Sequence, residues 1–354
     1  MKKFCMRLLC LSLCIALLVV PTGCRSSQTS ISSSTTSSEK TPSELETIKL
    51  NFGSVSYSPG STREAMTNML EKKIEAAFPD RIDFNLLTPG SIGADKALFE
   101  ATQMNSVDMC VLADMSIDMA LNTLGWAWLP YLYSTYEEVD EYYYNGWVAE
   151  EITKRIEASG VIKVGNYESG FRNFANNVRP INKFEDFKGL KVRVPELSYL
   201  MSFYKKLGTL PAVINSAEVV TALEQGTVDG QDNNIVSWRN TGTIDLCKYV
   251  FKMNYDFSGG SMIVSHDFWN KLTTEEQAKF KSVCYEVGEE AIELLRKEES
   301  DLIEKCLAGD TFTITEPDEA MKTKLKEAAM LVWEEEAAKY DKEVMTKVFE
   351  TFGK

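Results

Sequence analysis

The run "KGLKVRVP" (188–195) sets an arginine into a short apolar strand. Leu190, Val192 and Val194 alternate with Lys191 and Arg193, and Pro195 ends the run. A guanidinium is a planar fork that matches a carboxylate through two parallel hydrogen bonds. In an open α/β sheet, ligands collect beyond the carboxyl ends of the strands, and Arg193 sits at such an end. Spacing leaves two readings open: an ion pair with a nearby acid such as Glu185 or Asp186, or a grip on an acidic solute. Asp114, just past the apolar run "VDMCVL" (107–112), either accepts hydrogen bonds from solute hydroxyls or caps a helix starting near Ser116. Trp238, just past "DNNIVS" (232–237), either stacks on a solute or belongs to the core.

Enzyme chemistry is poorly provided for. His266 is the only histidine, at a strand-to-helix junction, and HExxH, GxSxG and a phosphate-cradling glycine loop are missing from the chain. Asp229 and Asp232 suggest a calcium loop. A loop starting at Asp229 has Asn234 where the sixth-position glycine belongs and Asn240 where the twelfth-position glutamate belongs, so an EF-hand is rejected. Cys110, Cys247, Cys284 and Cys306 are scattered without CxxC spacing, which favours buried small hydrophobes over a disulfide. No metal and no cofactor is expected, and the chain reads as a binder rather than an enzyme.

A length of 354 residues suits two domains of ordinary size, and 44% hydrophobic residues suffice for a core. A net charge of −14 argues against nucleic acid, whose phosphates attract Lys and Arg. The first residues read as a leader: basic "MKKFCMR", then apolar "LLCLSLCIALLVV", then "PTGC" ending at Cys24. Small residues before a cysteine are similar to the lipobox of bacterial lipoproteins, with Pro21 departing from the usual aliphatic residue. Residues 1–23 are therefore expected to be a signal and Cys24 a lipidation site. Residues 24–46, rich in Ser and Thr, read as a tether that buries too little to order itself. Such a chain is expected outside the cytoplasm, lipid-anchored to the cell membrane.

From Thr47 onward strand and helix patterns alternate, which predicts an α/β sheet, with "VDMCVL" as a parallel strand covered on both faces. "STREAMTNMLEKKIEAAF" (61–78) reads as a helix with a capping-box spacing at Ser61 and Glu64. An internal echo stands out. "ATQMNSVDM" and "ALEQGTVDG" each end a helix and open a strand, 229 − 108 = 121 residues apart, with Asn105 and Gly226 at the helix stop. Two lobes on one plan are expected. Residues 273–309 form a long helical pattern with a Thr273–Glu276 capping box, and residues 318–349 read as one closing helix.

"GFRNFANN" (170–177), "KGLKVRVP", "EVVTALEQGTVDGQDN" (218–233) and "SHDFWNKLTTEEQ" (265–277) stand in an order that resembles the solute-binding proteins of TRAP transporters, the DctP-like family. "PGSIGADKALFEATQMNSVDM" (89–109) and "LPYLY" (129–133) extend the resemblance over nearly everything from Thr47. It implies a two-lobed periplasmic-binding-protein fold of α/β class, with a hinge and a long helix spanning both lobes. Chain crossings are implied near Ser169 and Phe257 and within the long helix. Lobe I is then 47–169 plus 258–298, and lobe II is 170–257 plus 299–354. The resemblance places Arg193 on the family's carboxylate-binding arginine, Arg172 on a second cationic contact, and Asn233 on an amide that orients the acid. It also shows a departure. "VINSAE" (213–218) puts Asn215 and Ser216 where alanine and phenylalanine are usual, which makes room for a hydroxylated solute unless Ser216 merely caps the helix near Glu218. The implied partners are an organic acid (a sugar acid or dicarboxylate) and the small and large membrane subunits of a TRAP transporter, served by a monomeric receptor. A carboxylate sensor for a signalling partner is the alternative.

Overall fold

The computed structural model describes residues 46–309 and 312–353. The leader, Cys24 and all of the tether except Glu46 lie outside the described residues. Among the described residues, nine strands form one sheet: β1 (Ile48–Gly53), β2 (Ile82–Leu86), β3 (Met109–Ala113), β4 (Val161–Asn176), β5 (Lys191–Val194), β6 (Leu210–Val213), β7 (Gly230–Asn233), β8 (Tyr249–Ser265) and β9 (Thr313–Thr315). The helices are α1 (Thr62–Ala77), α2 (Asp95–Gln103), α3 (Asp114–Leu121), α4 (Tyr136–Glu138), α5 (Trp147–Ala158), α6 (Ser198–Lys206), α7 (Val219–Glu224), α8 (Ile235–Asn240), α9 (His266–Trp269), α10 (Thr274–Gly309), α11 (Glu319–Ala337) and α12 (Lys342–Phe352), with shorter turns between them.

The sheet runs β2-β1-β3-β8-β4-β7-β5-β6, with β9 beside β8. At one side β1 is parallel to β2 and β3; at the other β5 is parallel to β6 and β7. The expected echo is thus a repeat of plan: β1-α1-β2-α2-β3 and β5-α6-β6-α7-β7 give the same local order, 2-1-3 and 6-5-7. Asn105 (φ 57°) and Gly226 (φ 67°) both take the left-handed conformation that stops the helix before β3 and before β7. Val107 and Val228 are buried at the same places.

The sheet is mixed rather than parallel throughout, because β4 and β8 join the halves antiparallel. β4 has 16 residues and β8 has 17, so each extends about 50 Å at ~3.3 Å per residue. The expected long helix, α10, has 36 residues and a similar reach of about 50 Å. It pairs Glu286 and Glu290 with Lys73 of α1, and Glu298 with Arg239 of α8. Its middle lies directly on β4, since a Cβ on Gly288 would meet the Asn166 carbonyl at 2.6 Å. Near the sheet's centre, Arg296 of α10 forks onto Asp140 (2.9 and 2.7 Å) and onto Glu168 of β4 (2.8 Å). Burial carries the Glu168 carboxyl up to about 7, against the pull of Arg296.

Two local expectations are corrected and others hold. The closing helix is two, broken at Tyr340, with Asp341 capping α12 through the N–H groups of Glu343 and Val344. Ser61 caps α1 as expected, but Glu64 accepts from the Gly60 N–H rather than closing the box on Ser61. The Thr273–Glu276 box is complete. Cys110, Cys247, Cys284 and Cys306 are all buried free thiols. Trp126 and Trp128 belong to the main core. No helix among the described residues is long and apolar enough to cross a membrane.

The crossing strands face each other through small residues, with Gly170 opposite Ser258, Glu168 opposite Gly259, and Tyr167 opposite Gly260. A Cβ on Gly259 would lie inside the ring of Tyr143, which is locked edge-on against Phe257 and Tyr133. Gly259→Ala is expected to destabilise the fold by about 1–3 kcal/mol, read as a lower urea midpoint at unchanged slope.

Candidate functional site

Arg193 lies on β5, the middle strand of its half-sheet, between Ala212 of β6 and Gln231 of β7. It is 5% exposed. Its Nε donates to the Ile214 carbonyl at 2.8 Å. None of its nitrogens has a carboxylate within ion-pairing distance among the described residues. The acids suspected of pairing with it are engaged elsewhere: Glu185 meets Lys324, and Asp186 accepts from the backbone of Asn182 and Lys183. Burial pushes the guanidinium down to about 10, the charge of Arg172 adds to this, and Asp232 and Asp95 oppose it. A buried cation is thus held by one carbonyl, with four of its five N–H donors unassigned.

Arg172, on β4 and 4% exposed, is the contrasting case. Its Nε donates to Asp232 Oδ2 at 3.0 Å, its Nη2 donates to the same oxygen, and Nη2 also reaches the Asp232 carbonyl at 3.1 Å. Burial works against its charge, but Asp232 outweighs it and the guanidinium is held more basic than usual. The same carboxylate accepts from Tyr255 (2.6 Å) and Tyr204 (3.3 Å). Arg172 is therefore compensated within the protein. Its remaining nitrogen, Nη1, donates to Asn233 Oδ1 at 3.3 Å and approaches Met115 Sδ at 3.4 Å. Asn233, at the end of β7, has its oxygen occupied and its Nδ2 without a partner among the described residues.

Met115 belongs to α3, beyond the end of β3, so that contact brings the two half-sheets together. Ser58, in the loop between β1 and α1, does the same by donating to the Asn240 carbonyl at the end of α8. Next to Met115, Asp114 is fully buried. Its Oδ2 accepts from Tyr143 at 2.6 Å, and its Oδ1 has no partner. Burial pushes its carboxyl up, and Lys163 opposes the shift. Asp114 is itself the first residue of α3, after the N-cap Ala113, so it does not cap a helix starting at Ser116.

Other expectations fall differently. Asn215, not Ser216, caps the turn before α7, by accepting from the Ala217 N–H at 3.3 Å. Both are exposed, directly after the Ile214 carbonyl that holds Arg193. Trp238 is buried with Ala175, Val219, Val250 and Leu295; its ring is part of that core rather than an open platform. Among the described residues, no cluster of His, Cys, Asp and Glu could hold a metal.

Two acids were missed from the sequence. Asp95, in the first turn of α2, is close enough to Arg193 to support its charge. Asp256, on β8 directly opposite Arg172, is buried with Oδ1 unpartnered and its carboxyl driven well above the usual range by burial. An acid inside the aromatic strand "NYDFSGG" (254–260) is the same kind of signal that singled out Arg193.

An arrangement of this kind, a buried cation lacking a carboxylate, can bind an anion. Arg193→Met removes an uncompensated buried charge, so it is expected to stabilise the ligand-free protein by about 1–3 kcal/mol, seen as a higher urea midpoint.

Comparison with known proteins identifies a family. Residues 52–340 match the family model described as bacterial extracellular solute-binding protein, family 7. The C4-dicarboxylate-binding periplasmic protein DctP of Rhodobacter capsulatus is 25% identical over 254 residues, 70% of this chain and 75% of that protein. The crystal structure of a sugar acid binding protein from Advenella mimigardefordensis in complex with galactonate superposes with a TM-score of 0.80 at 20% identity, covering 87% of this chain and 98% of that one. A TRAP periplasmic solute binding protein from Haemophilus influenzae with bound L-gulonate gives 0.76 at 26% identity, covering 85% and 99%.

Proposed function

The chain belongs to bacterial extracellular solute-binding protein family 7, the extracytoplasmic receptors of TRAP transporters, and on that premise we propose that Arg193 holds an organic acid between its two lobes. The lobes are residues 47–169 plus 258–298 and residues 170–257 plus 299–354. The observation that carries the reading is the buried Arg193 guanidinium with a carbonyl as its one protein partner. A solute carboxylate supplies the missing counter-charge in matching geometry. Arg172 acts through Asn233: by occupying its oxygen, it leaves the amide N–H groups to donate to the acid. Asp114 Oδ1, Asn215 and Ser216 receive solute hydroxyls, and Trp238 supports the wall from behind.

Sugar acids are the favoured class. The galactonate and L-gulonate bound by the two structural neighbours support this, as do the polar Asn215 and Ser216 after β6. Lipidation at Cys24 tethers the receptor outside the membrane as a monomer, and the two integral membrane subunits receive the solute. The chain binds without turnover: the buried carboxyls Asp114 and Asp256 take hydrogen bonds from Tyr143 and Tyr199, and the one histidine, His266, lies at the start of α9.

A thermal-shift screen across sugar acids, C4-dicarboxylates and 2-oxoacids is expected to raise the apparent melting temperature for one class, since a ligand bound only by the folded form stabilises it. For that ligand a Kd near micromolar, about −8 kcal/mol, is expected by calorimetry. Arg193→Met is expected to weaken it by about 2–5 kcal/mol; unchanged affinity would remove Arg193 from the site.

A further inference from the structure

A second arginine lacks a counter-charge, on the other half-sheet. Arg63 lies in the first turn of α1, after the loop whose Ser58 touches Asn240. Its Nη1 donates to the Val111 carbonyl of β3 at 3.1 Å, and its Nη2 donates to the Tyr167 hydroxyl of β4 at 2.9 Å. The guanidinium carbon stands 4.9 Å from the centre of that ring. No carboxylate among the described residues lies within ion-pairing distance, and the remaining three N–H groups of its five are unassigned.

The surroundings are built rather than incidental. The Tyr167 hydroxyl accepts from Arg63 and also from Ser169 Oγ at 3.0 Å, so its own proton is left to donate elsewhere. Tyr167 is buried, and its ring lies against Gly260 of β8, where a Cβ would come within 2.6 Å. Ser169 sits in the irregularity of β4 between Glu168 and Gly170, where the strand passes from one half-sheet to the other. α1 begins beyond the carboxyl end of β1, the edge of the sheet where ligands collect. Arg63 therefore stands beyond the carboxyl end of β1 in its half-sheet, as Arg193 stands near the carboxyl end of β5 in the other. Of the eight described arginines, the only other one without an ion pair is Arg179, which is tied to the Asp186 and Lys188 carbonyls.

Resting on the reading of Arg193 given above, we infer that Arg63 receives a second carboxylate, so that the solute is a diacid spanning both half-sheets. One charge meets Arg193, the other meets Arg63 with the Tyr167 hydroxyl beside it, and the middle of the solute is left to Asn233 and Asp114. A one-ended acid leaves Arg63 unneutralised when the halves close.

Calorimetry with galactonate and galactarate tests this, because they share a carbon chain and differ in having one carboxylate or two. The unmodified protein is expected to bind galactarate at least about tenfold more tightly. Arg63→Met is expected to lower galactarate affinity on the order of 100-fold while changing galactonate affinity less than about threefold. Arg63→Lys, which keeps the charge but loses the fork, is expected to fall between. Succinate against 4-hydroxybutyrate repeats the comparison on a shorter chain. Equal loss of both members of a pair in Arg63→Met, or no loss, overturns the inference and leaves Arg63 a structural contact. So does an unmodified protein that shows no preference for either diacid, a result needing no variant. If Arg193→Met leaves galactonate affinity intact, the carboxylate site itself is wrong, which is a separate outcome.

Discussion

Two guanidiniums are buried in strands of one sheet that flank β7, and they differ in a single respect. Arg172 has a carboxylate and Arg193 does not. Removing a charge from water costs several kcal/mol unless a partner repays it. Asp232 repays it for Arg172 with help from Tyr204 and Tyr255. For Arg193 the chain supplies one carbonyl, so the ligand-free fold holds a cation whose stabilisation must come from outside. Asp256 does not intervene. It lies opposite Arg172 rather than Arg193, and burial drives its carboxyl well above the usual range. Affinity for an anion follows from a deficit that the fold maintains.

That deficit must still be reachable, which explains the connections between the halves. Two strands of 16 and 17 residues and a helix of 36 pass from one side to the other. Their length keeps the halves in one continuous sheet, while the β4 register shifts beside Glu168 and Arg172 interrupt the ladder where bending is needed. Arg296 ties α10 to β4 and to Asp140 at that same level. Any change in the angle between the halves must be absorbed where these three connections are softest. The bulged, glycine-bearing stretch of β4 and β8 is the obvious place.

Much of this was legible in the sequence, for reasons that can be named. Period-two runs such as "KVRV", helix stops at Asn105 and Gly226, and the Thr273–Glu276 box are local signals, and local signals survive folding. The two-lobed plan was readable from the family resemblance and from one short echo, "ATQMNSVDM" against "ALEQGTVDG". Apart from local misreadings such as the unbroken closing helix and the Ser61–Glu64 box, what failed was long-range. The mixed sheet depends on β8, distant in sequence, entering between β3 and β4. The contrast between Arg172 and Arg193 depends on which one Asp232 reaches, and spacing is silent on that. Trp238 beside a polar run left stacking and core both open, and α8 turns it into the core with Ala175 and Val250. Arg63 passed unnoticed because a basic residue in a helix's first turn looks like ordinary surface until its partners are seen to be a carbonyl and a phenol.

The chain as a whole carries a net charge of −14, so its long-range field repels the kind of solute its site is built to hold. Beyond a Debye length of roughly 8 Å at physiological ionic strength that repulsion is largely screened. Attraction must therefore arise at short range, from desolvated donors, and not from steering. A guanidinium among carbonyls and hydroxyls behaves this way: its field is masked by the surrounding acids at a distance and unmasked at contact. The same distribution favours discrimination over speed. Small inorganic anions gain little from diffuse attraction, and in the binding mode we propose an organic acid gains only when its carboxylate seats on Arg193 and the rest of it lets the halves meet, as Met115 meets Arg172 and Ser58 meets Asn240.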